Sequence, residues 1–362
     1  MKKPFIDKEY GCRVLGIESS CDECAVAVVE DGEHILSNVI LTQIPFHEQY
    51  AGVVPEIASR KHIEWILGVV RRSLLEAEIT PASVCAVAAT ARPGLTGSLL
   101  VGHTFAKAFA WARKIPFVSC DHILAHLYAS RLSGIEPAQP TPYPFLGLLV
   151  SGGHTIICRV NDFDNVSILG STIDDAAGEA FDKVARHYGL GYPGGKYIDE
   201  LAKHGDPEAF RFPQPRLKSN EQRYNVSYSG LKTAVINQLR LFTRKYSAEE
   251  ASVPPGMLND NFKADIAASF QKTAVDILLC AVFRAVEDTG ISVIVTGGGV
   301  AANSFLRERL ASCTGLQCVC PPAELCGDNG AMIAGLAYRY LECGKSSPLS
   351  STVRSRSDVF RL

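Results

Sequence analysis

Two stretches of this chain carry the same rhythm of apolar and polar positions. Val14-Leu-Gly-Ile-Glu18 is followed by a small and polar run from Ser19 to Glu23, then by a second apolar run from Cys24 to Val29 and the dipeptide Asp31-Gly32. The pattern predicts a strand, a tight turn, a second strand and a hairpin. Phe145-Leu-Gly-Leu-Leu149-Val150, then Ser151-Gly152-Gly153-His154, then Thr155 to Val160 and Asn161-Asp162 repeat the design. Helical periodicity follows each unit, over 56–78 and 98–114 in the first half and over 174–188 and 264–288 in the second. Repetition at this length predicts two duplicated α/β domains with a ligand cleft between them, not a solenoid of short repeats.

A third glycine-bearing segment starts with the apolar run Val293-Ile-Val and continues through Thr296, Gly297, Gly298 and Gly299 to Asn303 and Ser304. It predicts a short buried strand, a turn and then a helix whose first turn offers unpaired N–H groups to an anionic or polar ligand. Neither the dinucleotide fingerprint G-x-G-x-x-G with its later acidic residue nor the P-loop pattern is matched, which disfavours Rossmann and P-loop sites. His122 and His126 stand four residues apart in Cys120-Asp121-His122-Ile-Leu-Ala-His126-Leu-Tyr128. On a helix that spacing puts both imidazoles on one face, where they can share a metal ion. Zinc proteases of the H-E-x-x-H kind need a Glu directly after the first His. Ile123 stands there, so the general base of that chemistry is missing.

With 362 residues, 47% hydrophobic and 20% charged, the chain is long enough for two domains of ordinary size, each with its own core. A net charge of −2 gives no global attraction to a polyanion, so a nucleic acid would have to be held by local clusters. Lys218 to Arg223, Arg244-Lys245 and Arg354, Arg356 and Arg361 are the candidates. The N-terminus has neither the apolar core of a signal peptide nor the character of a transit peptide, and no apolar run is expected to approach membrane-spanning length. A soluble, cytoplasmic protein without a membrane partner is expected. Twelve cysteines scattered through apolar segments fit reduced thiols. Cys21-x-x-Cys24 precedes a strand instead of opening a helix, and Cys318, Cys320 and Cys326 contain no C-x-x-C step, so a structural zinc is disfavoured.

Further motifs follow in one order: Gly16-Ile-Glu18-Ser-Ser-Cys21-Asp22-Glu23, Gly52-Val-Val-Pro55-Glu56, Pro93-Gly94-Leu95, His122-x-x-x-His126, Val150-Ser151-Gly152-Gly153-His154-Thr155, Asp174-Asp175-Ala-Ala-Gly178-Glu179, Tyr192-Pro193-Gly194-Gly195, Tyr228-Ser-Gly230-Leu-Lys232-Thr233, Gly298-Gly299-Val300 and Asp328-Asn329-Gly330-Ala-Met332. Together they resemble the TsaD family, the tRNA N6-adenosine threonylcarbamoyltransferases formerly called glycoproteases, over nearly the whole chain. The resemblance implies two RNase H-like domains of the actin, hexokinase and heat-shock-protein ATPase (ASKHA) fold, with an interdomain cleft. The expected boundaries are 12–140 plus 320–345 for the N-terminal domain, 141–319 for the C-terminal domain and 346–362 for a flexible tail. The activity implied is transfer of the threonylcarbamoyl group from threonylcarbamoyl-AMP to N6 of an adenosine in tRNAs reading codons that begin with A, forming t6A and releasing AMP.

For the site, the resemblance implies that His122, His126 and Asp328 hold one divalent metal ion, with iron (Fe2+) favoured and zinc (Zn2+) as the alternative. Leu149, Val150, Ser151, Gly152, Gly153, Asp182, Gly195, Asp199 and Asn303 match positions that bind the adenylate. Leu149 stands where archaeal and eukaryotic cytosolic relatives carry Tyr, which places the chain with the bacterial and organellar branch. A paralogous TsaB-type subunit and a TsaE-type ATPase are then the expected partners, beside tRNA. Leu124 replaces a Glu common between the two histidines, Arg92 departs from the usual residue, and His103 is a candidate to reach the metal. Glu18 and Asp22, in the first turn, are the carboxylates considered as general base. A kinase or ATPase of the same fold is the alternative activity. A metallopeptidase is disfavoured by Ile123.

Overall fold

The computed structural model describes residues 11–50, 52–132, 141–191, 193–215, 222–249 and 260–357, with only the backbone described for 242–249 and Asp260. Ala51, Tyr192, Lys218, Arg361 and the segment 1–10 lie outside the described residues, as do the side chains of Arg244 and Lys245. By its internal contacts the chain divides into two compact units, one of Met1–Tyr143, Val160–Ser167 and Pro321–Leu362, the other of Pro144–Arg159 and Ile168–Cys320.

The first unit opens with strands β1 (Arg13–Glu18), β2 (Glu23–Glu30) and β3 (His34–Thr42), paired antiparallel in sequence. The three-residue connection Asp31-Gly32-Glu33 is closed by Glu33 N–H to Glu30 O (3.3 Å), and Asp31 and Gly32 both take left-handed backbone conformations, φ 51° and 77°, which match the turn to strand twist. After the short helix α1 (Ile44–His47), helix α2 (Pro55–Glu76) starts on a proline, whose missing N–H costs nothing at that position. Strand β4 (Ala86–Arg92) pairs parallel with β1, helix α3 (Thr96–Arg113) crosses over, and β5 (Phe117–Asp121) pairs parallel with β4. Helix α4 (His122–Tyr128) follows β5 at once. The sheet order is β3-β2-β1-β4-β5.

The second unit repeats this order. Its elements are β6 (Phe145–Val150), β7 (Thr155–Asp162), β8 (Asn165–Ser171), α5 (Ala177–His187), α6 (Gly194–Ala202), α7 (Ser229–Glu249), α8 (Asp260–Thr289), β9 (Val293–Gly297), α9 (Ser304–Ala311) and β10 (Gln317–Val319), with Val160–Ser167 of the β7–β8 hairpin counted in the first unit. Its sheet runs β8-β7-β6-β9-β10, with β9 parallel to β6 and β10 parallel to β9, as β4 and β5 stand to β1. Helix α5 starts later than the periodicity from 174 suggests. The Asp174 carboxylate accepts from Ser227 Oγ, Ser229 Oγ and the backbone N–H groups of Tyr228 and Ser229, which takes it out of the helix. Helix α8 corrects another expectation: over 261–289 it is long and apolar enough to cross a membrane, yet 78% of its most apolar window is buried. Ile266, Phe270, Leu278 and Val282 lie in the core of the second unit, so its apolar window is that of a core helix, while Lys272, Asp276, Cys280 and Arg284 keep one side at the surface.

The chain returns to the first unit with α10 (Ala323–Cys326) and α11 (Gly330–Glu342). Successive residues of β1 feed opposite faces of its sheet. Val14 packs in a cluster with Leu124, Ala125 and Tyr128 of α4 and with Met332 and Ile333 of α11, while Leu15 and Ile17 pack with Ile66, Val69 and Val70 of α2 and Ala106 of α3. Helices therefore cover both faces of a sheet buried on each side. The segment from 346, expected as a flexible tail, is tied down through its described part: Ser347 N–H donates to Phe117 O (2.7 Å), Arg354 N–H to Ala91 O (2.8 Å) and Lys107 Nζ to Ser351 O (3.1 Å).

Candidate functional site

Helix α4 begins where it does because Asp121 caps it. One carboxylate oxygen of Asp121 accepts from the N–H groups of Ile123 (3.0 Å) and Leu124 (3.4 Å). His122 and His126 then fall one turn apart, and their Nε2 atoms face each other at 3.2 Å. The third member comes from the N-terminus of α11. Asn329 caps that helix through Met332 N–H (3.0 Å) and donates to the carbonyls of Leu325 and Gly327, which fixes the backbone next to Asp328. Helix α11 lies unusually close to the sheet. A Cβ at Gly16 would collide with the backbone of Gly330 and Ala334, and one at Gly330 with the backbone of β2. Asp328 Oδ1 accordingly stands 3.2 Å from His126 Nε2 and 3.6 Å from His122 Nε2.

These separations fit a shared cation. Ligand atoms about 2.1 Å from one ion are spaced about 3.0 to 3.4 Å apart in octahedral and tetrahedral geometry. All three atoms lie within 4.8 Å of one another, two of them on buried side chains, and two imidazoles with a carboxylate leave further positions open. His122 is held from behind. Its Nδ1 lies 3.0 Å from Glu18 Oε2 and 3.3 Å from Ser20 Oγ. The Glu18 oxygens are otherwise occupied: Thr90 Oγ1 donates to one (2.5 Å) and Ser20 N–H to the other (2.6 Å). Burial alone would raise the Glu18 carboxyl, but the facing His122 outweighs it and holds the group below its usual range. Burial alone would lower His122, but Glu18 and Asp328 carry it up to about 10. The same two carboxylates that raise His122 favour positive charge at this point, whether carried by a proton or by a cation.

Glu18 is fully buried with every contact made inside the protein, and Asp22 is buried beside Cys21 and Glu23. His103 does not join the metal group: its Nε2 faces Ser119 Oγ at 3.1 Å, its ring stands edge-on to Phe117, and burial pushes it down to about 4. Leu124 lies in the apolar cluster under α11, and Arg92 Nε stands 3.5 Å from Asp121 Oδ2. Thr90, Ser20 and Asn329 were not anticipated as site residues. Thr90 sits in a strand whose pattern reads simply as buried, whereas Asn329 has a visible signal, a capping residue before a helix.

In the second unit the side chains of Leu149 and Val150 are core, 3% and 0% exposed, so of this stretch only Ser151, Gly152 and Gly153 are accessible. Ser151 closes the turn through its N–H to His154 O (2.8 Å), and the N-terminus of α5 abuts it through Gly178 N–H to Ser151 O (3.2 Å). Gly298, at φ 90°, lies against Val150 O where a Cβ would clash, which brings the two glycine turns together. Asp182 accepts from Gly194 N–H (2.7 Å) and so anchors the start of α6, next to Gly195. Asn303 donates to Asp199 (3.1 Å) and Gln271 (2.9 Å) and caps α9 through Leu306 N–H, while Asp199 also accepts from Ser304. Of the expected adenylate residues, Leu149 to Gly153 lie at the end of β6 and in the turn after it, Asp182 lies midway along α5, Gly195 and Asp199 lie on α6, and Asn303 caps α9. Of the expected basic clusters, Arg223 is already neutralised by Asp288 at 2.8 Å.

Residues 34–335 match the family model of TsaD, tRNA N6-adenosine threonylcarbamoyltransferase. Curated proteins of that name are similar along almost the whole chain. The one from Treponema denticola is 56% identical over 348 residues, covering 96% of this chain and 98% of its own, and that from Treponema pallidum is 52% identical over 343 residues, covering 95% and 93%. Among solved structures, full-length HypF in its phosphate- and nucleotide-bound form matches with a TM-score of 0.57 at 15% identity, over 93% of this chain and 56% of that one. Component A of the (R)-2-hydroxyglutaryl-CoA dehydratase of Acidaminococcus fermentans matches with a TM-score of 0.50 at 15% identity, over 91% and 99%. With the repeated sheet order, these likenesses show the duplicated ASKHA fold.

Proposed function

We propose for this chain, which belongs to the TsaD family of tRNA N6-adenosine threonylcarbamoyltransferases, a division of labour between a metal centre at His122, His126 and Asp328 and an adenylate-binding surface at the glycine turns of the second unit. The reaction is transfer of the threonylcarbamoyl group from threonylcarbamoyl-AMP to N6 of adenosine in tRNA, forming t6A. The N6–carbonyl bond forms, the bond from the carbonyl to the phosphate oxygen breaks, and AMP leaves with the electron pair.

Amide groups of Ser151, Gly152 and Gly153, with those at the Gly298 turn, suit the phosphate of the adenylate and the charge it gains on leaving. Asp182 and Asp199 suit its ribose and base, with Gly195 beside the Asp182 anchor of α6 and Asn303 holding Asp199 through its amide. His122, His126 and Asp328 would hold one divalent ion, which when bound supplies Lewis-acid polarisation and orientation of the threonylcarbamoyl group. A two-histidine, one-carboxylate set with open positions favours Fe2+, with Zn2+ the alternative. Glu18 orients His122 and sets its tautomer, because its oxygens are committed inside the protein; this argues against its use as a base. Asp22 remains the carboxylate to test, although the N6 proton is lost late and needs no strong base. A cytoplasmic protein working with a paralogous TsaB-type subunit and a TsaE-type ATPase completes the proposal.

The observation that carries it is the convergence of three ligand atoms from two distant helices, in a chain of this family. Reconstitution with each metal, threonylcarbamoyl-AMP and tRNA, read out as t6A by nucleoside chromatography, tests it. Metal-dependent t6A formation is expected. Full activity after complete chelation would remove the metal centre from the mechanism.

A further inference from the structure

We propose that Ser357, at the end of the strap formed by residues 346–357, is a positioning residue for the metal centre. The proposal rests on the metal reading of His122, His126 and Asp328. The strap runs beside the strands that lead into the site. Ser347 bonds Phe117 at the start of β5 through its N–H and the N–H of Ser119 through its hydroxyl, Ser351 Oγ stands 3.2 Å from Ser119 Oγ, and Arg354 N–H reaches Ala91 O near the end of β4. Ser355 O then accepts from Gly94 N–H (3.4 Å). At the end of this series Ser357 Oγ donates to Asp121 Oδ2 at 2.5 Å.

Asp121 is 1% exposed and is the residue on which α4 starts. Its Oδ1 caps the helix at Ile123 and Leu124. Its Oδ2 receives the serine hydroxyl, with the guanidinium of Arg92 at 3.5 Å. Ser357 therefore fixes the plane of a carboxylate whose other oxygen sets the first turn of a seven-residue helix that carries both histidines. A helix this short has little stability of its own, so the cap determines the direction in which His122 and His126 point. Groups that hydrogen-bond a metal ligand tune affinity about 10- to 100-fold without touching the ion; Ser357 acts one step further out, through the cap, so its effect belongs at the low end of that range.

The test uses the full-length chain with Co2+ as a spectroscopic probe. Ser357→Ala should bind Co2+ about ten-fold more weakly, with an altered ligand-field spectrum and faster amide exchange at Ile123 and Leu124, while the melting midpoint stays close to that of the parent. Ser357→Thr, which keeps the hydroxyl, should restore all three. Parent-like affinity, spectrum and exchange in Ser357→Ala would overturn the proposal, provided that His126→Ala has lost the Co2+ spectrum. A parent chain whose spectrum survives His126→Ala would instead refute the metal reading itself, and the proposal with it.

Discussion

Glu18 Oε2 and His122 Nδ1 face each other at 3.0 Å, so the end of the first strand and the start of the metal helix are joined by a charged hydrogen bond that no solvent reaches. Such a carboxylate fixes the imidazole tautomer and makes its other nitrogen a better ligand. Glu18→Gln keeps the shape and removes the charge. It should weaken metal binding by about 10- to 100-fold, read by titration against a competing chelator. Undiminished affinity would make the pair a structural contact only.

His126→Ala removes one of three ligand atoms. The variant should lose stoichiometric metal, measured by elemental analysis, and t6A formation together, while its circular dichroism and melting curve stay near those of the parent. Metal retained at one per chain would place the centre elsewhere.

Gly153 offers a cleaner probe of the adenylate surface than the carboxylates do. A Cβ there meets nothing within 4 Å and the backbone is not left-handed, so the fold tolerates a side chain. Gly153→Val should leave the melting midpoint within about 2 °C of the parent and reduce adenylate affinity about ten-fold or more by calorimetry, with metal content unchanged. Asp182→Ala should also weaken the adenylate, but with a loss of about 1 kcal/mol in stability from the missing anchor of α6.

Strong acid should weaken the second unit's carboxylate network. Burial would raise Asp175, but the ammonium groups of Lys183, at 2.7 Å, and Lys232 hold it below the ordinary 3.8. A depressed carboxyl contributes stability that is fully present above its unfolded value and is lost as pH falls through the folded one. The melting midpoint of the parent should therefore exceed that of Asp175→Asn near neutrality and converge on it as pH drops below 3.8. The gap should be modest, about 1 kcal/mol or less, because the lysines are partly solvated. A gap that widens in acid would contradict the ion-pair assignment.

With a net charge of −2 and Arg223 already paired with Asp288, the isolated chain should bind tRNA weakly and with steep salt dependence. Filter binding across a salt series, with and without TsaB-type and TsaE-type partners, checks this. Tight, salt-insensitive binding by the chain alone is the contrary result.

What the sequence made legible was local. The His122–His126 step could be read because helical period is set by neighbouring residues, and the two strand-turn-strand units because alternation and turn chemistry are short-range. Asp328 came only from resemblance, since nothing near it in sequence points to residue 122. Glu18 and Asp22 are candidates for a base because their turn is expected to face the cleft of a duplicated-domain fold; the bonds of Glu18 to Thr90 and His122 depend on β4 and α4 being brought beside β1, which no local pattern shows. The segment after 346 looked loose because its serines, prolines and arginines lack periodicity, yet backbone bonds to β4 and β5 need no side-chain pattern. Helix α8 was visible in the periodicity over 264–288, but Lys272 and Asp276 interrupt its apolar run, so its membrane-spanning length and apolar content were not.

The ligand set is also a schedule. His122 and His126 leave the ribosome before the second unit, whereas Asp328 and the residues of α11 that seat it are made only after the whole second unit has been synthesised. During translation the half-built first unit carries an apolar sheet face without α11 and two histidines without their carboxylate. Metal captured then would meet an incomplete site, so loading belongs after α11 has been made, and a truncated product ending before Asp328 should emerge metal-free and dependent on chaperones.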